Sequence, residues 1–196
     1  MKKAATRLAL ATAVLRHLTD PGRESATVET IAAEVGVSPR TFHNYFTCKE
    51  DALIYLIDVM HHHVAEVIRA RPADESLRDA VEHALIEVAC ATEATPRQVA
   101  TLIQLIECGQ PLMQRKRRGD VAEPHERFEE VLAQRGHRVG LYERLVLSNA
   151  LATLRVALQM WSEGRSPVND LREYLRTAFR MQQMSMLSSR VQQWRE

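Results

Sequence analysis

The side chains best suited to chemistry in this sequence lie in one short stretch around Phe42 and Phe46. Phenylalanines four residues apart share one face of a helix, which predicts that this face is buried. The other positions then point outward and carry hydrogen-bonding groups: Arg40, Thr41, His43, Asn44 and Tyr45. Guanidinium, hydroxyl, imidazole and amide groups can pair with base edges and phosphates of duplex DNA. The stretch is therefore a candidate recognition helix.

A preceding helix must hold this segment in place, and the sequence marks where it starts and stops. Thr27 is a good N-cap for a helix with an apolar face of Val28, Ile31, Ala32 and Val35. Gly36 ends that helix, because glycine reaches the left-handed backbone conformation at little cost. Ser38 caps the recognition helix, and Pro39 stands in its first turn, where a missing N–H costs nothing.

A third helix is predicted to follow, with Thr47 as its N-cap and Glu50 completing a capping box. The three helices together give the order of a helix-turn-helix, whose recognition helix enters the major groove. An ordinary helical hairpin is the alternative, since caps and glycine turns occur in any α-helical protein. So many such signals within residues 27–53 favour DNA binding.

Residues 27–53 resemble the N-terminal domain of TetR-type transcriptional regulators, the TetR/AcrR family. The matching positions are Thr27, Val28, Ile31, Ala32, Gly36, Val37, Ser38, Thr41, Tyr45, Phe46, Lys49, Glu50 and Leu53. The resemblance implies a homodimer that represses transcription from a palindromic operator and leaves it when a ligand displaces the fourth helix. It also implies that Thr27, Tyr45 and Lys49 contact phosphates. Activation instead of repression, the operator sequence and the ligand's identity stay open.

The candidate DNA contacts divide by role. Arg40, Thr41 and His43 are candidates for base edges, and Arg40 would favour guanine. Asn44 suits either a base or a phosphate, and Lys49 stands at a helix N-terminus, itself suited to phosphate. The full predicted set is Thr27, Ser38, Pro39, Arg40, Thr41, His43, Asn44, Tyr45 and Lys49.

The net charge of +1 excludes a protein that binds polyanions over its whole surface. Affinity for DNA must then come from a local patch, to which an N-terminal arm of Lys2, Lys3 and Arg7 could add by reaching the adjacent groove. Three scattered cysteines predict free thiols in a reducing cytosol. No apolar run approaches the length of a transmembrane helix, so we expect a cytoplasmic protein without a membrane partner.

Nearly the whole chain predicts helix, because β-branched residues never alternate with polar ones over a useful length. We expect an all-α fold: an N-terminal three-helix helix-turn-helix domain over 1–48 and a C-terminal helical bundle over 49–196. A first helix over Ala4–Leu18 would bury Leu8, Ala11, Leu15 and Leu18. The bundle would be the effector-binding and dimerisation domain.

Two long helices are predicted at the end of the chain, over roughly Tyr142–Glu163 and Val168–Val191. The first is apolar around most of its circumference, which indicates burial on two sides. We expect the pair to form a symmetric four-helix interface with a second copy. The predicted interface residues are Leu154, Trp161, Leu171, Leu175 and Ala178. The alternative is that the chain's own core covers both sides.

The predicted effector site is mostly aliphatic and indicates a large hydrophobic ligand of acyl type, with a few polar anchors. Its candidate residues are Met60, His63, Val64, Val67, Leu102, Ile103, Ile106, Met113, Phe128, Leu151, Arg155 and Leu158. The basic run Arg115 to Arg118 would either bind an anionic head group at the mouth or remain a solvated helix end. The same apolar residues could instead fill a core.

Catalysis and metal binding have little support in the sequence. His61, His62 and His63 are consecutive and point about 100° apart on a helix, so they cannot converge on one ion. His62 and Glu66 have ligand spacing, but the pair is incomplete. Because no nucleophile motif occurs, we predict a non-enzyme without metal or cofactor. A constitutive DNA-binding protein, or an acyl-handling enzyme or carrier on a helix-turn-helix scaffold, remains the alternative.

Overall fold

A computed structural model describes residues 2–20, 26–108 and 130–193 of the chain. Within these ranges every regular element is helical, which confirms the predicted all-α fold. The helices are α1 (Lys2–Thr19), α2 (Val28–Glu34), α3 (Pro39–His43), α4 (Lys49–Ala70), α5 (Leu77–Ala91), α6 (Pro96–Cys108), α7 (130–134), α8 (Leu141–Ser162) and α9 (Leu171–Gln193). None of the described helices is long and apolar enough to cross a membrane.

Helix α9 begins three residues later than predicted. The carboxylate of Asp170 accepts hydrogen bonds from the backbone N–H groups of Arg172, at 2.8 Å, and Glu173, at 3.4 Å. A side chain that satisfies these first amides fixes the start of the helix. The apolar Val168 therefore lies before the helix, not inside its first turn.

The first hydrophobic core, here called the N-terminal core, joins α1, α2 and α3 to the first half of α4. Its buried members are Leu10, Ala11, Ala13, Val14, Leu15, Ile31, Phe42, Phe46, Ala52, Leu53, Leu56, Ile57 and Leu102. The predicted face of α1 was wrong at its edges, because Leu8 and Leu18 are both about two-fifths exposed. Helices α4 and α6 both pack on α1 and shift its buried face toward Leu10 and Val14.

The second core, here called the C-terminal core, joins the second half of α4 to α5, α6, α7, α8 and α9. Val64, Ala65 and Ile68 are its members from α4, and Met60 packs against both cores. A division of the chain at residue 48 therefore separates α3 from the helix that completes its core. We propose that the packed DNA-binding unit extends into α4.

Helix α6 is also divided between the two cores. Val99 and Ile103 belong to the C-terminal core, whereas Leu102 belongs to the N-terminal core and Ile106 packs against it. Residues three or four apart on a helix share a face, so α6 presents one face to each core. Two helices, α4 and α6, thus connect the helix-turn-helix to the bundle.

The final two helices bury part of the predicted dimer interface inside the protomer. Leu154 and Leu175 are 2% and 0% exposed and lie in the C-terminal core. They are therefore removed from the interface assignment, because a partner cannot reach them. At these two positions the chain's own core takes the place that a partner was expected to fill. Trp161, Leu171 and Ala178 remain partly exposed.

Candidate nucleic-acid interface

The turn between α2 and α3 has the hydrogen bonds that the sequence predicted. The hydroxyl of Thr27 accepts from the backbone N–H of Thr30 at 3.3 Å, and that of Ser38 accepts from Thr41 at 3.2 Å. Gly36 has φ +74°, a conformation that residues with a Cβ rarely adopt. Thr27 and Ser38 are thus confirmed as the N-caps of α2 and α3.

Two buried phenylalanines hold α3 against the protein. Phe42 and Phe46 are almost fully buried, with ring centroids 5.6 Å apart. The opposite face carries Arg40, His43 and Asn44, all exposed, which we call the recognition surface. Thr41 and Tyr45 are partly buried at its edges, and the Thr41 hydroxyl hydrogen-bonds the Ser38 hydroxyl at 2.9 Å. Pro39 occupies the first turn of α3, as predicted.

The start of α4 differs from the predicted capping box. Its N-cap is Cys48, in an extended conformation, and its side chain makes no capping bond. The backbone N–H of Thr47 donates to the Asp51 carboxylate at 3.0 Å, so Asp51 turns back toward the chain. Burial and the neighbouring Glu50 raise the pKa of the Cys48 thiol, which disfavours a reactive thiolate.

Lys49 links the start of α4 to the start of α2. Its ammonium donates to the carbonyl of Ala26 at 3.1 Å, across 23 positions of sequence. An ammonium has three donors, so two N–H groups remain for a phosphate. Because Ala26 directly precedes the Thr27 cap, two predicted phosphate contacts lie at one end of the helix-turn-helix.

Charged groups also fix α1 against α2. Glu34 accepts hydrogen bonds from Arg16 and from Nε2 of His17, the latter at 2.7 Å. His17 is buried, and the side chain of Glu34 is 25% exposed. Hydrogen bonds to a carboxylate are directional, and they are strong when shielded from water. This pair sets the distance between α1 and the helix that carries the turn.

One carboxylate lies beside the recognition surface. Hydrogen bonds from its own backbone N–H and from the Thr27 hydroxyl lower the pKa of Glu29, and the charge of His43 contributes less. Glu29 therefore stays ionised at neutral pH, near groups that would meet DNA. The sequence alone could have identified Glu29 as a charge near the recognition surface, because it stands two positions after the N-cap Thr27.

Arg7 does not extend from the protein as part of an arm. Its guanidinium carbon lies 4.1 Å from the centroid of the Tyr55 ring and 5.5 Å from that of Phe46. A guanidinium over an aromatic face is a cation–π contact. Arg7 therefore joins α1 to the start of α4, whereas Lys3 on the same helix is exposed.

The predicted effector residues occupy several environments. Val64, Leu102, Ile103 and Leu158 are buried in the two cores, and Met60, Val67, Ile106 and Leu151 are partly buried. His63 is exposed on α4, so it does not line an internal cavity. Arg155 pairs with Glu107 of α6 at 2.6 Å between Nε and Oε2. Met113, Phe128 and the run Arg115 to Arg118 lie outside the described residues.

A surface groove of about 500 Å³ lies along α4, away from the predicted aliphatic wall. It is lined by Asp58, Val59, His62, Ala65, Glu66, Arg69 and Glu130. The spacing of four between Asp58, His62 and Glu66 gives a polar helix face that could have been identified from the sequence. Across the described ranges, no three His, Cys, Asp or Glu side chains are arranged so that they could hold one metal ion.

The helix-turn-helix segment also matches a known protein family. Residues 12–56 match the model described as bacterial regulatory proteins of the tetR family. The helix-turn-helix segment of this chain is therefore of the TetR type. The match ends inside α4, close to the last α4 residue of the N-terminal core. No curated protein matches the chain in sequence.

Solved structures with a similar fold include several transcriptional regulators. A transcriptional regulator from Rhodococcus has a TM-score of 0.55 at 19% identity, covering 93% of this chain and 96% of that one. The fatty acid degradation regulator FadR of Bacillus halodurans has a TM-score of 0.57 at 19% identity, covering 89% and 92%. Thermus thermophilus FadR, solved with lauroyl-CoA, has a TM-score of 0.51 at 20% identity, covering 90% and 92%. These likenesses extend the TetR-family fold over the bundle.

The Arg7 contact gives a prediction that separates a packing role from a DNA-binding arm. Replacing Arg7 by Met removes the cation–π contact and should lower the free energy of unfolding by about 1 kcal/mol. Thermal or denaturant unfolding measures this, and Lys3→Met on the same helix is the control, with little expected change. The salt dependence of DNA binding should be the same for wild type and Arg7→Met. A smaller salt slope without loss of stability would instead support the arm.

Proposed function

We propose that this protein is a TetR-type regulator, an effector-controlled repressor that binds a palindromic operator as a homodimer. The observation that carries the proposal is the recognition surface: Arg40, His43 and Asn44 are exposed on the side of α3 opposite two buried phenylalanines. A major groove admits one α-helix, and side chains of these types hydrogen-bond base edges. The experiment that tests it first is selection of bound duplexes from a random DNA pool.

Within this proposal the DNA contacts keep their predicted division. Arg40, Thr41 and His43 meet base edges, with Thr41 contributing through a hydroxyl that Ser38 already orients. Thr27, Tyr45 and Lys49 meet phosphates, and Asn44 serves either purpose. Ser38 and Pro39 act through the start of α3, where backbone N–H groups favour an anion. The side chain of Glu29 adds a negative charge nearby, which disfavours non-specific binding.

The proposed dimer interface is the outer face of α8 and α9. Large apolar side chains are exposed there in the folded protomer, among them Leu145, Val156, Met160, Met181 and Met184. Val156 and Met160 are one turn apart on α8, and Tyr174, Ala178 and Met181 continue the face along α9. Trp161 and Tyr174, with ring centroids 5.6 Å apart, close its end near the α8–α9 turn.

This apolar face is suited to binding a second copy of the chain. Apolar surface of this extent is unusual on an isolated soluble chain and indicates an interface. A two-fold axis between two such helix pairs produces a four-helix arrangement in which each copy covers the other. Trp161, Leu171 and Ala178 stay in the proposed interface, and the exposed residues of α8 replace Leu154 and Leu175.

The proposed effector is an acyl compound held between α4, α6 and α8. Two observations support it: the residues that face this region are aliphatic, and the related fold of Thermus thermophilus FadR was solved with lauroyl-CoA. An acyl chain gains about 0.8 kcal/mol for each methylene removed from water. Helices α4 and α6 both contribute to the two cores. A ligand that pushes these helices apart would therefore move the helix-turn-helix relative to the bundle.

Two alternatives stay in competition with this proposal. A constitutive DNA-binding protein is favoured by the burial of Val64, Ile103 and Leu158 in a packed core. The comparisons indicate no enzyme family, and the named relatives are transcriptional regulators. An acyl-handling enzyme or carrier would turn over or retain a thioester without any effect on DNA, which the effector experiment below would detect.

The DNA-binding assignments predict different effects for base and phosphate contacts. Lys49→Ala and Tyr45→Ala should weaken binding to operator and unrelated DNA alike, and Lys49→Ala should lower the salt slope by about one. Arg40→Ala should relax the preference at one base position, costing about 1–3 kcal/mol. Titrations across salt and operator variants measure both. Arg97→Ala on α6 is the charge control, and an unchanged slope for Lys49→Ala would contradict the phosphate assignment.

The dimer assignment predicts opposite outcomes for two apolar positions. Val156→Glu should produce folded monomers, because a symmetric interface would bury the unpaired carboxylate twice. Leu175→Glu should unfold the protomer itself, since that side chain is in the C-terminal core. Light scattering and circular dichroism distinguish these results, and Ala133→Glu on α7 is the control. If Val156→Glu remains a dimer, the interface lies elsewhere.

The effector assignment predicts a chain-length dependence. Lauroyl-CoA should release the selected DNA, whereas coenzyme A without an acyl chain should not. Each methylene removed from the chain should weaken binding by up to about 0.8 kcal/mol, measured by calorimetry. Val64→Trp places a larger side chain in the space proposed for the acyl chain. This variant should lose the release by lauroyl-CoA and keep its affinity for DNA. Release by a small polar metabolite, with no response to any acyl length, would rule out an acyl effector.

A further inference from the structure

Arg135 makes the most extensive set of side-chain hydrogen bonds around α4, and it is not part of the recognition surface. Its Nη1 donates to the carbonyls of Ile68, at 3.3 Å, and Arg71, at 3.1 Å. Its Nη2 donates to the carbonyls of Pro72, at 2.8 Å, and Glu75, at 3.0 Å. One guanidinium therefore spans the last turn of α4 and the connection to α5.

The backbone around Arg135 is itself well fixed. Gly136, with φ +77°, ends α7 in a left-handed conformation, and the N–H of His137 donates to the Leu132 carbonyl at 2.9 Å. These are the bonds of a glycine-terminated helix end. Val131 and Leu132 of α7 are fully buried in the C-terminal core. Arg135 thus reaches α4 from a rigid part of the bundle.

The same end of α4 has two further polar links. Nε of Arg69 donates to the side-chain carbonyl of Gln134 at 3.0 Å, a second bond between α4 and α7. Arg71 pairs with Glu75 through two hydrogen bonds, which lower the pKa of Glu75 and keep it ionised at neutral pH. A positive guanidinium at a helix C-terminus also interacts favourably with the helix dipole.

The opposite end of α4 carries the helix-turn-helix. Leu53, Leu56 and Ile57 belong to the N-terminal core together with Phe42 and Phe46. Helix α4 has 22 residues, so it is about 33 Å long at about 1.5 Å per residue. A tilt of about 5° at its C-terminal end moves the other end by about 3 Å. In a dimer the two displacements add to about 6 Å, against about 3.4 Å per base pair.

We propose that Arg135 is a positioning residue for DNA recognition: it fixes the C-terminal end of α4 and thereby sets the distance between the two recognition helices. This inference rests on the proposed homodimeric DNA-binding function and deepens it. Arg135 touches no DNA. Its effect reaches DNA through the direction of α4, and it is therefore seen in the preferred spacing of operator half-sites.

The test compares wild type with Arg135→Lys and Arg135→Met on the selected operator. Lysine keeps the charge, but a single ammonium cannot reach four carbonyls as the planar fork does. Methionine keeps the length and removes every donor. Arg138→Met, exposed three residues later, is the matched control. Affinity is measured for the selected spacing, for spacers one base pair shorter and longer, and for an isolated half-site.

Wild type and Arg138→Met should prefer the selected spacing. Arg135→Met should reduce that preference by about 2- to 30-fold, which is the range of effects seen for residues that couple distant sites. The spacing preference of Arg135→Lys should lie between those of wild type and Arg135→Met. Affinity for the isolated half-site should stay within about twofold. Circular dichroism checks folding, and Arg135→Lys decides the question if the methionine variant unfolds.

Four results would overturn the inference. An unchanged spacing preference in the folded Arg135 variants would overturn the inference but not the proposed function. An equal loss of spacing preference in Arg138→Met would do the same. Half-site affinity falling in parallel with spacing preference would show that Arg135 acts only through the stability of the fold. Failure of wild type to bind any selected duplex would instead overturn the proposed function and this inference together.

Discussion

The arrangement of the whole chain depends on one continuous helix, α4, whose two halves are buried in different hydrophobic cores. Leu53 and Leu56 lie in the N-terminal core, whereas Val64 and Ile68 lie in the C-terminal core. An α-helix resists sharp bending because a kink interrupts its hydrogen-bond ladder. The helix-turn-helix therefore cannot shift relative to the bundle unless α4 tilts, and groups that fix α4 also constrain the recognition surface.

The directions of α4 and its neighbours are set by polar contacts at helix ends more than by the cores. Burial of apolar surface is non-directional, whereas a hydrogen bond requires a defined geometry. At the N-terminal end of α4, Lys49 donates to the carbonyl of Ala26. At the C-terminal end, Arg135 donates to four carbonyls. Helix α6 adds a second bridge, with Glu107 paired to Arg155 of α8. These contacts give the two cores a defined relative orientation.

The predicted effector and dimer residues show where periodicity stops being informative. Helix α8 is apolar around most of its circumference, and the sequence favours burial on two sides. The structure divides these residues, because Leu154 faces the C-terminal core while Val156 is 46% exposed. Both are aliphatic and only two positions apart, so composition cannot assign them. The neighbouring helices α6 and α9 decide which side of α8 is covered.

The sequence by itself determined the helix-turn-helix and its likeness to the TetR family. Thr27, Gly36 and Ser38 were identified correctly because each acts within a few residues of its own position, through a cap or a left-handed turn. Phe42 and Phe46 followed from spacing alone. The all-α fold followed in the same way, since helix periodicity is a local property.

Only the tertiary structure decided which distant groups meet. Thr47 has the residue type of a cap, but the carboxylate of Asp51 takes its N–H, and α4 begins without a side-chain cap. Arg7 has the charge of a DNA-binding arm, yet it stacks on Tyr55, which stands 48 positions later in the chain. Arg135 shows no local signal at all, because its four acceptors are backbone carbonyls that become neighbours only when α4 and α7 pack together.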